Sequence, residues 1–274
     1  MPALSERMRV EGKFREIVRF ELVYQTRRIH TWLYFAGLLV VAYLLTRGGI
    51  DSARDGSPPI LANSPYGIAV TTLLCNVLWM LIATAVAGSA AARDVQTRMH
   101  PLVYTSPVSK ADYLGGRFLA ALVLNALILL MVPAGILLAR LVPGAAPELL
   151  GPFRPGAYLS AYLVLALPTA FAVTAIQFSL AALSGRAAVS YVSSLLLLVT
   201  VVISGAVTNL LQMPTLGQLL DPMGLYVLSS AWTQNEKNTL LVGMQGPMLA
   251  NRILWIGVGL GVLAFTHRRF RYAP

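Results

Sequence analysis

The run PGAYLSAYLVLALPTAFAVTAIQFSLAALSG (Pro155–Gly185) contains no charged residue. It exceeds the roughly 20 apolar residues that a helix needs to cross the hydrocarbon core of a membrane. Five more charge-free runs divide the chain: Ile29–Thr46, Gly56–Ala92, Phe118–Ala139, Ala187–Leu220 and Ile253–His267. Because the runs are continuously apolar and do not alternate, they predict helices and not barrel strands. The sequence therefore predicts an all-α, polytopic membrane protein with one transmembrane domain over residues 1–274.

The composition supports the same class. Hydrophobic residues make up 57% of the chain and charged residues only 12%, against about 25% charged in a soluble domain. We expect six transmembrane helices, at about 29–46, 67–92, 114–140, 157–183, 187–211 and 248–267. The last run is short, so we expect Pro247–Arg252 to extend it, with the Arg252 side chain snorkelling to the lipid headgroups.

The basic residues predict the orientation. Segments 1–28, 93–117 and 268–271, together with Arg186, hold 15 of the 21 Lys and Arg residues and 6 of the 11 acids. One face of the membrane therefore carries a net charge of +9 and the other +1. Lys and Arg accumulate in cytoplasmic loops, so we expect both termini in the cytoplasm. This topology, with attraction to anionic lipid, explains the basic balance without nucleic-acid binding.

Several segments outside the apolar runs have their own signals. Residues 5–28 alternate apolar and basic positions at helical spacing, which predicts an amphipathic helix that lies in the headgroup layer or also contacts a cytoplasmic partner. Residues 212–247 contain short apolar patches and turn signals, which indicate re-entrant half-helices on the outer face. Pro133 and Pro168 predict bends in the third and fourth helices. The intramembrane Asn76, Asn125, Gln177 and Asn209 are expected to hydrogen-bond between helices, with a solvated cavity as the alternative.

The bridge between the second and third helices, residues 93–113, is rich in charge. We expect the second helix to continue to His100, where Pro101 breaks it. Ser106 followed by Pro107 predicts an N-cap and a new helix. A short ordered helix that carries Arg93 and Arg98 favours docking to a partner, and a plain solvated surface remains the alternative.

Motifs for independent chemistry are missing from the sequence. The three histidines are isolated, and Cys–His metal spacing does not occur. The chain has no phosphate-binding loop and no nucleophile elbow. Charged residues do not occur in the middle of any apolar run, which disfavours an ion-coupled carrier.

The segment RDVQTRMHPLVYTSPVSKADYLGGRF (Arg93–Phe118) resembles the coupling-helix region of type-2 permeases of ATP-binding-cassette transporters. The portion DPMGLYVL…WTQNEKNT…NRILWIGVGL, from Asp221 onward, is similar to a subgroup of permeases associated with zinc aminopeptidases. The resemblance implies six spans, an N-terminal elbow helix, a coupling helix and outer half-helices in the bacterial cytoplasmic membrane. It also implies that a separate ATPase subunit hydrolyses ATP, that a second permease forms a dimer with this one, and that this chain has no cofactor or catalytic residue.

The expected contact with the ATPase combines the charged bridge and the family resemblance. Its residues are Arg93, Asp94, Thr97, Arg98, His100, Tyr104, Ser106 and Pro107. Two hypotheses remain open. The chain is the transport subunit of an exporter, or it is a membrane scaffold or assembly subunit that carries no substrate.

Overall fold

The computed structural model describes residues 2–53, 60–99, 105, 107–141, 149–229 and 232–270. Within these residues every regular element is a helix. Six helices are long and apolar enough to cross a membrane. We call them spans 1 to 6: Ile29–Ala53, Pro65–Gln96, Lys110–Leu141, Pro155–Ser184, Ala188–Asn209 and Gly246–Arg269. The predicted all-α class and the six spans are confirmed. A further helix, Pro2–Thr26, precedes span 1 and is called the N-terminal helix.

Span 1 is longer than predicted. The first helix was predicted to end near residue 46, but it continues through Gly48 and Gly49 to Ala53. Glycine costs about 1 kcal/mol in a helix interior. Ile50, which is fully buried, packs into the bundle and offsets part of this cost.

Span 2 lies at the centre of the bundle and contacts spans 1, 3, 4 and 5. Its start is defined by Ser64, whose hydroxyl accepts a hydrogen bond from the Gly67 N–H at 3.0 Å, with Pro65 in the first turn. The helix has 32 residues, which corresponds to about 48 Å at 1.5 Å per residue. Since the hydrocarbon core is about 30 Å thick, span 2 is long enough to project beyond it.

Small residues allow close packing in this centre. A side chain at Gly88 would lie 2.9 Å from the backbone oxygen of Ala187, at the start of span 5. Gly135 of span 3 meets the Leu39 carbonyl of span 1 at a similar point of contact. Small residues let helices approach closely in lipid, where packing replaces the hydrophobic effect as the driving force.

Spans 3 and 4 are irregular near their prolines. Span 3 consists of two helices that meet at Leu130, three residues before Pro133. Span 4 contains a π-helical segment, Ala161–Ala166, immediately before Leu167 and Pro168. Proline has no N–H to donate to the carbonyl four residues earlier, so the regular ladder is interrupted there. The predicted bends therefore coincide with observed irregularities.

Three short helices, which we call the connecting helices, lie between spans 5 and 6: Pro214–Leu220, Leu225–Ser229 and Gln234–Thr239. Residues 212–247 thus contain short helices, while their re-entrant placement on the outer face stays a prediction. The third begins with a capping box, in which Thr233 and Glu236 satisfy each other's backbone N–H groups. The exposed Glu236 carboxylate accepts hydrogen bonds from the backbone N–H and hydroxyl of Thr233, and these lower its pKa.

Arg252 does not snorkel, which corrects the prediction for span 6. Its side chain is 1% exposed and points into the protein. The guanidinium donates to the Met223 carbonyl at 2.8 Å and to the Thr169 hydroxyl at 3.2 Å. Gly224 makes room, because a Cβ there would lie 2.5 Å from a guanidinium nitrogen. Arg252 thus joins span 4, span 6 and the connecting helices.

Candidate functional site

Some residues of the predicted ATPase contact are buried in the structure and others are exposed. Arg93 and Asp94, at the end of span 2, are 9% and 6% exposed. Thr97, Arg98 and Pro107 are exposed. The remaining three predicted residues, His100, Tyr104 and Ser106, lie outside the described residues.

Arg93 pairs with Glu21 of the N-terminal helix. Its two terminal nitrogens donate to the two carboxylate oxygens at 2.8 and 2.6 Å. Glu21 is 1% exposed, and Gln25 donates a further hydrogen bond to it at 3.1 Å. The Arg93 guanidinium also lies 3.9 Å from the centre of the Tyr24 ring. Two-pronged, charge-assisted pairing of this kind fixes both distance and orientation.

Asp94 pairs with Arg117 of span 3. The Arg117 guanidinium donates to the Asp94 carboxylate at 2.5 Å and to the Ala90 carbonyl at 2.8 Å. The Tyr113 hydroxyl donates to the same carboxylate oxygen at 3.1 Å. The second Asp94 oxygen lies 4.0 Å from the Arg93 side chain, so the two ion pairs adjoin.

We call Glu21, Arg93, Asp94 and Arg117 the charged quartet. Two carboxylates and two guanidiniums cancel, so the quartet has no formal net charge. Each buried charge has an opposite partner, and breaking such a pair costs about 3–5 kcal/mol because the other charge remains buried. The quartet therefore holds the N-terminal helix, span 2 and span 3 together. We call this end of the bundle, which contains the N-terminal helix, the end of span 2 and the start of span 3, the basic end.

The quartet overturns the expectation that Arg93 and Asp94 form an exposed docking face. Span 2 does continue beyond its apolar part, as predicted, but the N-terminal helix covers the side that carries these two residues. The contact is close, since a Cβ at Gly116 of span 3 would lie 2.9 Å from the Ile17 side chain. Arg93 and Asp94 act inside the protein instead of on its surface.

Span 2 ends earlier than predicted. The helix stops at Gln96, and Arg98 has a positive φ of 57°. The Arg98 N–H donates to the Val95 carbonyl at 3.2 Å, and the Met99 N–H donates to the Asp94 carbonyl at 2.9 Å. These two bonds form a Schellman motif, in which glycine usually occupies the left-handed position. Arg98 occupies it here, and its side chain is exposed on this turn.

The helix that forms span 3 begins at Lys110, three residues after Pro107, the start that Ser106 and Pro107 predicted. Ser109, and not Ser106, is its N-cap: the Ser109 hydroxyl accepts from the Asp112 N–H at 3.1 Å and donates to the Asp112 carboxylate at 2.6 Å. Pro107 precedes the helix, and its carbonyl accepts a hydrogen bond from Lys13 at 2.5 Å. The cap is set by Asp112 because an acid at the third helical position complements the serine.

Sequence reasoning missed Glu21 and Arg117 as site residues. One local signal existed for Glu21. It lies at helical spacing from Phe14, Ile17 and Val18, on the apolar side of the N-terminal helix. An acid on an apolar face needs a buried partner.

A groove of about 530 Å³ opens beside the quartet. Apolar side chains of the N-terminal helix line it together with Met99 and Val108, and the residues of the quartet border it as well. Phe20 and Met99 on its rim are 63% and 49% exposed. The groove and the Arg98 turn give the basic end an exposed surface with a rigid base.

The bundle interior contains neutral polar residues, several of them buried amides and hydroxyls. Among the described residues, no three His, Cys, Asp or Glu side chains come together. Gln177 and Asn125 form the predicted hydrogen bonds between spans. Asn76 forms none with the described residues, although it is fully buried. Asn209 lies at the end of span 5 and not in the interior.

The sequence matches no protein-family model and no curated protein. The function must therefore be inferred from the chain's own residues and their arrangement.

Proposed function

We propose that this chain is the permease subunit of an ATP-binding-cassette exporter in the bacterial cytoplasmic membrane. The excess of Lys and Arg at the basic end supports a cytoplasmic location for that end and for both termini. A separate ATPase subunit supplies the energy, since the sequence has no phosphate-binding loop. A second permease, identical or related, completes the path through the bilayer.

The observation that carries this proposal is the rigid joint at the basic end. Span 2 extends as a continuous helix to Gln96, and the charged quartet fixes it to span 3 and to the N-terminal helix. A force applied at the Arg98 turn is therefore transmitted to three helices together. A transport subunit without its own energy source needs a rigid connection of this kind between the ATPase and its membrane helices.

The ATPase contact is assigned to the exposed residues near this joint. Thr97, Arg98 and the rim of the groove face outward and contact the ATPase. The buried Arg93 and Asp94 transmit the movement of the Arg98 turn to the N-terminal helix and span 3. The turn is stiff because its backbone hydrogen bonds are satisfied by the end of span 2. A stiff turn loses little conformational entropy when a partner binds.

The proposal is tested by Arg98→Glu in this chain, co-expressed with the ATP-binding-cassette ATPase that co-purifies with the wild-type chain. We expect normal insertion into the membrane but less ATPase recovered with the purified permease, or less stimulation of ATP hydrolysis. Arg98→Gly removes the charge while suiting the positive φ, so it separates charge from backbone strain. Arg269→Glu, an exposed cation at the same end, is the matched control.

Unchanged co-purification and unchanged ATPase activity in Arg98→Glu would refute the assigned contact. The scaffold hypothesis is the second candidate, and the lack of charge in the middle of the spans favours it. It predicts that no ATPase activity responds to the presence of the chain. Stimulation by the wild-type chain would exclude that reading.

A further inference from the structure

A polar layer inside the bundle joins spans 2, 4 and 5. The Gln177 amide nitrogen donates to the Met80 carbonyl at 2.9 Å, the Thr84 hydroxyl at 3.0 Å and the Ser194 hydroxyl at 2.8 Å. The two hydroxyls also lie 2.5 Å apart. Gln177, Thr84 and Ser194 are fully buried, so this layer is closed to bulk solvent.

A second polar layer lies about one helical turn away. Asn125 of span 3 donates to the Thr174 hydroxyl of span 4 at 3.0 Å. Thr174 precedes Gln177 by three residues, and Asn76 precedes Met80 by four. Spans 2 and 4 run in the same direction. Along the helix axes, Thr174 lies about 4.5 Å before Gln177 and Asn76 lies about 6 Å before Met80. Because Gln177 bonds the Met80 carbonyl, Asn76 and Thr174 lie at nearly the same depth in the bundle. Asn76, Met80 and Thr84 also share one face of span 2.

Four amide atoms of these layers have no hydrogen-bond partner among the described residues. They are both polar atoms of Asn76, the Asn125 carbonyl oxygen and the Gln177 carbonyl oxygen. All three side chains are fully buried. Rotating the Gln177 amide by 180° does not help, since its oxygen would then face the Met80 carbonyl.

The energetic cost of four unpaired atoms is large. Each buried polar group that is left unpaired destabilises a folded protein, and here four such atoms belong to three neighbouring spans. A small polar ligand that satisfies these atoms removes most of this cost.

We propose that ordered water molecules bind between Asn76, Asn125 and Gln177 and form a hydrated site inside the bundle. The unpaired atoms include three acceptors and one donor and carry no charge. Water is the small ligand that both donates and accepts, and a buried water needs two to four polar partners. A cation fits less well, because the Asn76 amide N–H₂ group would point its hydrogens at it. The site is independent of the transport proposal.

The first test is the substitution Asn76→Leu, which replaces the amide with an apolar side chain of similar size. If Asn76 binds water, the variant loses hydrogen bonds and unfolds at a lower temperature than wild type. If Asn76 is truly unpaired, the variant unfolds at a higher temperature, because an unsatisfied polar group has been removed. A higher Tm would therefore overturn the proposal. Thr46→Val is the control, since among the described residues the Thr46 hydroxyl bonds only the Ala42 carbonyl of its own helix.

The second test detects the water directly. An X-ray pulse splits bound water and produces hydroxyl radicals, which oxidise the neighbouring side chains. Met80 and Trp79 are buried but lie beside the proposed site, so we expect them to be oxidised in wild type. We expect Asn76→Leu to lower Met80 oxidation by about threefold or more, as its water loses partners, and Thr46→Val to leave it unchanged.

The wild-type measurement alone decides the matter if Asn76→Leu does not fold. Met80 oxidation is compared with that of Leu38 in span 1, which is equally buried but is not part of the proposed site, after each rate is divided by its value in the unfolded chain. A higher ratio for Met80 supports the hydrated site. Equal ratios mean that the interior is dry and overturn it.

Discussion

Breaking the Glu21–Arg93 pair should uncouple the N-terminal helix from span 2. Glu21→Leu leaves Arg93 buried without its partner. Arg93→Met leaves Glu21 buried without its partner, and the methionine keeps an apolar side chain against Tyr24. Both ionic side chains are at least nine-tenths buried, so solvent screens them little. Each single substitution is expected to cost about 3–5 kcal/mol.

The double variant should behave differently from the sum of the singles. Replacing both charges with apolar residues leaves no orphaned ion, so the double variant should cost about as much as one single substitution or less. For a chain of this size, 1 kcal/mol corresponds to a shift in Tm of about 2–4 °C. Each single variant should therefore unfold about 6–20 °C below wild type.

The assay is thermal unfolding of the purified protein in detergent, followed by tryptophan fluorescence. Glu16→Leu, an exposed acid on the same helix, is the control and should change stability by about 0.5 kcal/mol or less. If the double variant loses as much stability as the two single variants combined, the residues act independently and the quartet is not a clamp.

Three other substitutions test the packing and the buried charges. Gly116→Leu should displace the N-terminal helix at Ile17, seen as faster hydrogen exchange of that helix while the spans stay protected. Gly224→Ala should lower the Tm by an amount equivalent to about 1–3 kcal/mol, because of its positive φ and its contact with Arg252; an unchanged Tm would contradict that contact. Burial raises the pKa of Asp221 above its ordinary value of 3.8, so its contribution to stability should be greatest below pH 3.8 and decline as the pH rises toward the folded-state value. Asp221→Asn should remove this decline, and a parallel pH profile of variant and wild type would contradict the shift.

The spans were predictable because their signal is local. Each apolar run contains its own evidence for a helix, and proline marks the bends in spans 3 and 4 through a missing hydrogen-bond donor. The close contact at Gly88 follows from the same kind of short-range pattern, namely small residues at helical spacing.

The charged quartet was not predictable in this way. Glu21 and Arg93 are 72 residues apart, and nothing near either residue specifies the other. The Ser106–Pro107 pair wrongly indicated the cap of span 3, because Asp112 pairs with Ser109 and places the cap there. The turn at Arg98 uses a conformation that the sequence would signal with glycine. Local patterns therefore located the bridge correctly but assigned its buried side to the surface.

The π-helical segment of span 4 has a consequence for how related sequences can differ in length. A π turn accommodates one residue more than an α turn. Tyr158, which precedes this segment, donates a hydrogen bond to the Asn63 side chain. Loss of one residue within Ala161–Ala166 would convert the segment to α-helix and leave both flanking parts in phase, so this bond would be kept. The same deletion within Leu167–Ser184 would rotate the remainder of the span by about 100° and misdirect Gln177. Evolutionary gaps in this span should therefore cluster before Pro168 and be rare after it.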